Sequence, residues 1–215
     1  MNHFQLITLA TTTLLLFTST TNGASTVLDV FGDPVIAGSE YHIAPYNYDA
    51  IGGGFSWKEN KRPFTPCPEF YVLQNEKNTD YGQTTVFQPI DGSSNKVTLS
   101  TDINIIFPKV SPPAGLPFFC DKSSNVWKVE DNKKVLLGGK KGGKDSNSVF
   151  TIKELKTGGY GIFYCTSSSE CLGLGIDPKS KDRQLVVNGQ QPVPIVFVSN
   201  DLFSKKKYAT YVASS

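Results

Sequence analysis

Short runs of β-branched and aromatic residues recur along the chain after residue 25, each bounded by Gly, Pro, Asn or Ser. Runs of this kind between turn-forming residues are typical of β-strands. No stretch of a dozen residues carries apolar positions at helical spacing. The pattern predicts an all-β protein with twelve strands, at residues 26–30, 41–45, 70–74, 83–87, 97–100, 103–107, 125–129, 134–137, 149–152, 160–164, 184–187 and 194–198.

The spacing of these runs bears on the number of domains. No break in composition marks a linker between residues 25 and 215. Many short strands over such a length are typical of one sandwich or barrel. Residues 25–215 are therefore predicted to fold as a single domain, and we expect a monomer.

The first 24 residues have the composition of a secretory signal. Residues 1–24 contain no Asp, Glu, Lys or Arg, and an apolar stretch at 6–17 is followed by small polar residues. This order is typical of a signal peptide, here cleaved near Ala24. A membrane anchor would need about 20 apolar residues. We therefore expect a secreted protein, extracellular or vacuolar, with no membrane partner.

Charge and histidine content narrow the classes of function. The chain has 21 Lys and Arg against 19 Asp and Glu, a net charge of +2, which leaves no excess of basic residues for a nucleic acid partner. Its histidines are His3, in the signal, and His42, in a strand-like run where a partly exposed strand residue is expected. No catalytic motif singles itself out. The sequence predicts no enzyme, metal site or cofactor, and favours a binding or inhibitory role carried by loops.

Three polar, turn-rich segments are expected to be exposed loops, at residues 52–54, 89–96 and 140–147. The last is rich in lysine and glycine, but it lacks the Gly-x-x-x-x-Gly-Lys-Ser/Thr pattern of a phosphate-binding loop. We interpret it as a solvated hairpin tip. The lysine run at 205–207 is likewise interpreted as charged surface.

The four cysteines are expected to form disulfides, because thiols in an oxidising compartment persist mainly in that form. Cys67, Cys120, Cys165 and Cys171 allow three pairings. None has the Cys-x-x-Cys spacing of zinc or redox sites. The short interval between Cys165 and Cys171 suits a local hairpin bridge, which would leave Cys67 to pair with Cys120.

A series of motifs runs in order through the whole mature chain. They are Val27-Leu28-Asp29, Gly32, Asp33-Pro34-Val35, Tyr41-His42-Ile43, Cys67-Pro68, Val72-Leu73-Gln74, residues 100–105, Trp127-Lys128-Val129, Phe163-Tyr164-Cys165, Cys171, Gly175-Ile176 and residues 183–187. The set resembles the plant Kunitz inhibitors of the soybean trypsin inhibitor type, which include miraculin-like proteins; Phe31 departs from the family's opening signature. The resemblance implies a β-trefoil of twelve strands in three four-stranded units, with two disulfides, Cys67 to Cys120 and Cys165 to Cys171.

The resemblance also implies a plant defence protein that presents one exposed loop, between its fourth and fifth strands, to a serine protease. In this chain that inhibitory loop consists of Gln88, Pro89, Ile90, Asp91, Gly92, Ser93, Ser94, Asn95 and Lys96. A loop already held in the extended conformation that a protease accepts loses little entropy on docking. A serine-type protease is therefore the expected partner.

Two departures from the family pattern predict weak inhibition of trypsin. Trypsin requires Arg or Lys in its acidic specificity pocket, whereas the positions that align with that residue, Asp91 to Ser93, hold no base. Lys96 is the only basic residue of the loop, and it lies late. Family inhibitors commonly brace the loop with an asparagine where this chain has Ala37, which carries no amide to donate.

Two other classes of function stay open. One is inhibition of a cysteine protease, an aspartic protease or a carboxypeptidase through another loop, such as residues 138–147. The other is a non-inhibitory secreted protein, whether a storage protein, a taste-active miraculin-like protein or a sugar-binding trefoil. Sugar binding is disfavoured because no Gln-x-Trp repeat occurs and the only tryptophans are Trp57 and Trp127.

Overall fold

The computed structural model describes residues 25–47, 52–60, 67–92, 94–110, 125–130, 133–142, 147–166, 170–188 and 192–201. The predicted signal at 1–24 and the lysines at 205–207 lie outside these residues. The all-β prediction is confirmed. The described residues form twelve strands: β1 (Glu40–Pro45), β2 (Phe55–Asn60), β3 (Glu69–Gln74), β4 (Thr84–Pro89), β5 (Ile103–Ile106), β6 (Trp127–Val129), β7 (Val135–Leu137), β8 (Phe150–Glu154), β9 (Tyr160–Cys165), β10 (Cys171–Ile176), β11 (Leu185–Val187) and β12 (Ile195–Ser199).

Six of the strands close into an antiparallel barrel. Going around it, β1 pairs with β4, β4 with β5, β5 with β8, β8 with β9, β9 with β12, and β12 with β1 again. The other six form the hairpins β2–β3, β6–β7 and β10–β11. Backbone pairs join these hairpins to one another, at Tyr71 with Leu136, Leu73 with Gln184, and Lys134 with Val186. Three four-stranded units with this arrangement form a β-trefoil.

Aromatic side chains fill the space between the barrel and the hairpins. Trp127 of β6 is completely buried. Its ring centroid lies 5.3 Å from that of Phe107, 6.2 Å from that of Phe150 and 6.2 Å from that of Phe55. Contacts between large rings contribute more than buried area alone. The loops therefore project from a densely packed scaffold.

Two predicted strands, at 26–30 and 97–100, form only isolated bridges, such as that between Thr26 and Thr98. The chain turns immediately after Leu28, because the carboxylate of Asp29 accepts hydrogen bonds from the backbone N–H groups of Phe31 and Asp33, at 2.9 and 3.0 Å. Such a side-chain to backbone bond competes with a strand ladder. The segment is thus too short for a regular strand.

Conversely, β2 and β10 were not among the predicted runs. The second half of β2 is Lys58-Glu59-Asn60, which is polar because that edge of the hairpin reaches solvent. β10 contains Gly173 and Gly175, and a Cβ atom on Gly175 would lie 2.1 Å from the side-chain nitrogen of Asn188. Polar residues and glycine have low strand propensity. We therefore attribute the formation of β2 and β10 to tertiary contacts.

Two expectations about exposure are wrong. Gly52, Gly53 and Gly54 were expected in an exposed loop, yet all three are buried. A Cβ atom on Gly53 would lie 2.2 Å from the backbone oxygens of both Lys77 and Asp80, so this segment is glycine because it passes directly against another backbone. His42 does lie in a strand, but only 8% of it is exposed, and its ring lies against the backbone of Tyr81.

Candidate functional site

The loop that follows β4 and the loop that precedes β8 both begin beside the start of β5, but they leave it in opposite directions because β4 and β8 run parallel to each other. Pro89, the last residue of β4, pairs with Ile103 at the start of β5, and Ile103 pairs with Phe150 at the start of β8. Neighbouring strands are about 4.8 Å apart, so the last residue of β4 and the first residue of β8 are separated by roughly 10 Å. We call the end of the barrel at Pro89 the rim, and the two loops the β4–β5 loop (90–102) and the β7–β8 loop (138–149).

The predicted inhibitory residues lie partly in β4 and partly in the β4–β5 loop. Gln88 and Pro89 are the last residues of the strand. Asp91, Gly92, Asn95 and Lys96 are exposed, as is Gln88, whereas Pro89, Ile90 and Ser94 are partly buried. Ser93 lies outside the described residues. The first part of the loop therefore presents its tip, Asp91-Gly92, to solvent.

Backbone hydrogen bonds fix the two legs of this loop. Ile90 donates its backbone N–H to the carbonyl of Asp102 at 3.0 Å, which extends the β4–β5 ladder by one step. On the other leg, the N–H of Ala37 donates to the carbonyl of Asn95 at 2.9 Å. Ala37 thus occupies the position next to the loop that the sequence suggested, and it contributes a backbone donor only, because its methyl group cannot hydrogen-bond.

Lys96 belongs to a leg of the β4–β5 loop and not to its tip. Its backbone forms a bridge with Ile36, and its N–H donates to Oγ of Ser94 at 3.0 Å. The residue at the tip is instead Asp91, which is followed by Gly92 with a φ of 61°. Asp91 is therefore the exposed charged residue next to the turn at Gly92.

The β7–β8 loop is fixed by a buried side chain of the barrel. Asn104 of β5 is 1% exposed. Its amide Nδ2 donates to the carbonyl of Ser148 at 2.8 Å, and its Oδ1 accepts from the N–H of Gly142 at 3.0 Å. One amide thus ties together both legs of the β7–β8 loop. Buried hydrogen bonds of this kind are costly to lose.

The sequence suggested the segment 138–147 as an alternative docking loop but gave no role to Asn104. Asn104 occurs in a strand that is otherwise Ile103, Ile105 and Ile106, where a polar residue is ordinarily assigned to the outer face. All four residues are buried. The only indication of this role in the sequence is that Asn104 is a polar residue within an otherwise apolar strand.

The cysteines agree with the predicted pairing as far as they are described. Cys165 and Cys171 form a disulfide that links β9 to β10. Cys67 is also disulfide-bonded, while Cys120, its predicted partner, lies outside the described residues. The bridge between Cys67 and Cys120 stays a prediction.

His42 lies in the barrel wall and not at the rim. Its Nδ1 donates to the carbonyl of Tyr81 at 3.2 Å. Burial lowers the pKa of His42, and the bond to Tyr81 only partly opposes this effect. The imidazole is therefore a neutral structural donor near neutral pH.

Among the described residues, no group of three or more His, Cys, Asp or Glu side chains could hold a metal ion. Within the same part of the chain, no helix has the length and apolar character required to cross a membrane.

The sequence matches a known protein family over most of its length. The legume Kunitz family, described as "Trypsin and protease inhibitor", matches residues 27–199. The chain belongs to this family. The twelve strands described above fall within the matched range, which also contains the β4–β5 loop and the β7–β8 loop.

Individual members of the Kunitz family are related to this chain at modest identity. Kunitz trypsin inhibitor 3 of Arabidopsis thaliana is 26% identical over 179 residues, which cover 80% of this chain and 76% of that protein. Miraculin of Synsepalum dulcificum is 28% identical over 174 residues, or 73% and 76% of the two chains. The crystal structure of Alocasin, a protease inhibitor from giant taro (Arum macrorrhizon), has a TM-score of 0.66 at 26% identity and covers 81% of this chain and 99% of its own.

Proposed function

We propose that this Kunitz protein is a secreted inhibitor that places the tip of its β4–β5 loop in the active site of a serine protease. The observation that carries this proposal is an exposed tip between two anchored legs. Ile90 is held to Asp102 on one side and Asn95 to Ala37 on the other, while Asp91 and Gly92 are exposed. A tip that is already held in place loses little conformational entropy when it docks.

The target that suits this tip is a protease without an acidic specificity pocket. The specificity pocket of trypsin contains an aspartate. The carboxylate of Asp91 would meet a like charge there, and like-charge juxtaposition at an interface costs several kcal/mol. Proteases that accept apolar or small residues carry no such charge. The protein is therefore a weak trypsin inhibitor through this loop.

Secretion is supported by two independent features. Residues 1–24 have the composition of a cleaved signal, and Cys165 and Cys171 form a disulfide, which is characteristic of an oxidising compartment. Amino-terminal sequencing of the secreted protein is expected to begin near Ser25. Retention of residues 1–24 in the purified protein would contradict this part of the proposal.

Inhibition curves for the mature protein test the proposed target. The panel should contain trypsin, chymotrypsin, elastase, subtilisin, a cysteine protease, an aspartic protease and a carboxypeptidase. We expect the tightest inhibition among the serine proteases that accept apolar or small residues. Asp91→Pro should abolish that inhibition, because it imposes a new backbone conformation at the tip. Asn95→Ala, at an exposed position on the leg, is the matched control.

A second candidate function is a non-inhibitory, miraculin-like role. It is supported by the 28% identity to miraculin and by Ala37, which gives the β4–β5 loop no side-chain brace. The same panel separates the two candidates. A protein that inhibits none of the proteases is of the second kind, whereas inhibition confined to a cysteine, aspartic or carboxypeptidase enzyme indicates a different loop.

A further inference from the structure

A cavity of 690 Å³ lies apart from the β4–β5 loop. It is lined by residues at the ends of β1 and β3, in the turn between β8 and β9, in β10 and in the segment that leads into β12. Pro45, which lines it, lies about 16 Å along β1 from Glu40, the residue that pairs with Val86 of β4. A volume of this size accommodates a small organic molecule. The cavity is therefore a candidate binding site of its own.

Part of the cavity wall is apolar and is held in place by its neighbours. Leu155 and Pro192 lie against Gly161 of β9, where an added Cβ atom would be 3.1 Å from Cδ2 of Leu155 and 2.7 Å from Cγ of Pro192. Val193 donates its backbone N–H to the carbonyl of Leu174 at 2.9 Å. Leu155, Pro192 and Val193 all line the cavity and are only partly buried. This part of the wall can therefore contact the apolar body of a ligand.

Arg183 supplies the cavity with a positive charge in a fixed position. Its carbonyl accepts a hydrogen bond from the backbone N–H of Gln74 at 3.1 Å, and its Nη2 donates to Oε1 of the same residue. Gln74 is only 2% exposed. Arg183 also has a φ of 54°, in the left-handed region that non-glycine residues seldom adopt. Backbone strain of this kind is found mainly at functional sites, so the position of this guanidinium calls for a ligand.

The other polar side chains of the wall can donate hydrogen bonds to an anion. Lys156 lines the cavity from the turn between β8 and β9, and it is exposed. Asn188 lines it from the end of β11, with its Nδ2 only 2.1 Å from the place of a Cβ atom on Gly175. Among the described residues that line the cavity there is no Asp or Glu. Because a guanidinium matches the planar shape of a carboxylate, this lining favours a carboxylate ligand.

We propose that this cavity binds a small carboxylate with an apolar body, whose carboxylate group is held by Arg183 and Lys156 and whose body packs against Leu155 and Val193. The guanidinium of Arg183 is already held by Gln74, so it loses little side-chain freedom when the ligand binds. The site does not depend on protease inhibition. A protein that inhibits no protease should bind the carboxylate equally well.

Calorimetric titration of the mature protein with 4-phenylbutyrate tests the proposal. The matched ligand control is 4-phenylbutanamide, which has nearly the same shape and no charge. We expect a submillimolar dissociation constant for the carboxylate and binding of the amide that is weaker by about tenfold or more, because hydrogen bonds to an ionised group are the stronger ones. Added salt should weaken binding of the carboxylate only. Equal binding of the two compounds, or no binding of 4-phenylbutyrate at millimolar concentration, overturns the proposal.

Single substitutions identify the cavity as the place of binding. Gln74→Glu keeps the size of the side chain and puts a carboxylate beside Arg183, so it should weaken binding of 4-phenylbutyrate by about tenfold or more and leave binding of the amide unchanged. Lys156→Gln removes the second positive charge and should weaken binding of the carboxylate by about threefold. Lys179→Gln is the matched control and should have no effect, because Lys179 is exposed between β10 and β11 and does not line the cavity.

The two lysine variants carry the test if the buried substitution prevents folding. Lys156 and Lys179 are both exposed, so neither change should alter the free energy of unfolding measured by urea denaturation. The proposal is overturned if a folded Gln74→Glu protein binds 4-phenylbutyrate as tightly as the parent. It is also overturned if Lys156→Gln and Lys179→Gln weaken binding equally, because binding would then follow the overall charge of the protein and not the charge in the cavity.

Discussion

The β4–β5 loop and the β7–β8 loop both adjoin β5 but differ in charge and support. In each, an exposed charged residue precedes a glycine in the left-handed region, Asp91 before Gly92 with φ 61° and Lys141 before Gly142 with φ 85°. These two charged residues have opposite signs. The first loop is anchored by backbone groups, whereas the second is tied by the buried amide of Asn104.

This difference separates the position of each loop, which the barrel determines, from its support and its specificity, which the barrel does not determine. The barrel fixes where both loops emerge, through the row Pro89, Ile103 and Phe150. It does not fix which loop is rigid, because that depends on single residues at distant points in the sequence. The specificity of each loop then depends on the residue at its tip. The following experiments change one of these elements at a time.

The largest effect is expected from removing the Asn104 side chain, which holds the β7–β8 loop through two hydrogen bonds. Asn104→Ala removes two hydrogen bonds from a buried site and leaves the carbonyl of Ser148 without its amide donor. We expect the free energy of unfolding to fall by about 2–3 kcal/mol, measured by urea denaturation. Asn95→Ala, on the β4–β5 loop, should change it by less than about 0.5 kcal/mol. Equal effects of the two substitutions would remove the contrast between the loops.

The next effect concerns the charge at the tip of the β4–β5 loop. Asp91→Arg supplies a base where an acidic pocket requires one. Because a desolvated charge pair at an interface is often worth about 2 kcal/mol or more, trypsin binding should tighten by roughly 30-fold. Asp91→Ala, which removes only the repulsion, should give a smaller gain. If Asp91→Arg gains no more than Asp91→Ala, this loop does not present that residue as a substrate would.

A smaller gain is expected from adding a brace to the β4–β5 loop. Ala37→Asn places an amide beside the leg at Asn95, where it can donate to the loop backbone. One added hydrogen bond contributes about 0.5–1.5 kcal/mol, so binding of the loop's protease should tighten by several-fold. Ala37→Leu adds volume without a donor and should give no gain. A gain from both would indicate packing and not hydrogen bonding.

The smallest effect on either loop should come from His42. Burial lowers the pKa of His42 in the folded protein, so below the ordinary histidine pKa of about 6.5 the unfolded chain binds more protons than the folded one. Stability from this group is complete above that pH and decreases as the pH falls below it. Urea denaturation from pH 8 to pH 5 should show a steeper loss for the parent than for His42→Gln.

Inhibition by the β4–β5 loop, measured at pH 8, should be the same in the parent and in His42→Gln. His42 pairs with Thr84 at the start of β4, far along the strand from Pro89 at the rim. A change in inhibition at that pH would show that the barrel wall and the rim are coupled.

Much of the trefoil could be predicted from the sequence because most of its strands alternate or run apolar. β1, β3 and β5 are examples, each with at least three buried apolar residues. β2 and β10 could not be found in this way. In β2 the polar end contacts solvent, and in β10 glycines make room for Asn188. Strands such as these form because of contacts between residues that are distant in the sequence, and a local sequence pattern does not predict such contacts.

The features of the candidate sites likewise include some that the sequence predicted and some that it did not. The position of the β4–β5 loop followed from the family resemblance, and the structure places Ala37 beside it as expected. The role of Asn104 could not be predicted, because it depends on Gly142 and Ser148, which lie 38 and 44 residues away. The burial of Gly52 to Gly54 was missed for the same reason, since the backbone that covers them comes later in the chain.

Closure of the barrel also bears on behaviour at high concentration. Each of its six strands is hydrogen-bonded on both sides, from β1 around to β12 and back to β1. An unpaired strand edge is the usual template on which other chains add and aggregate. Because each of these six strands has a partner on both sides, we expect the barrel to offer other chains little strand edge to pair with.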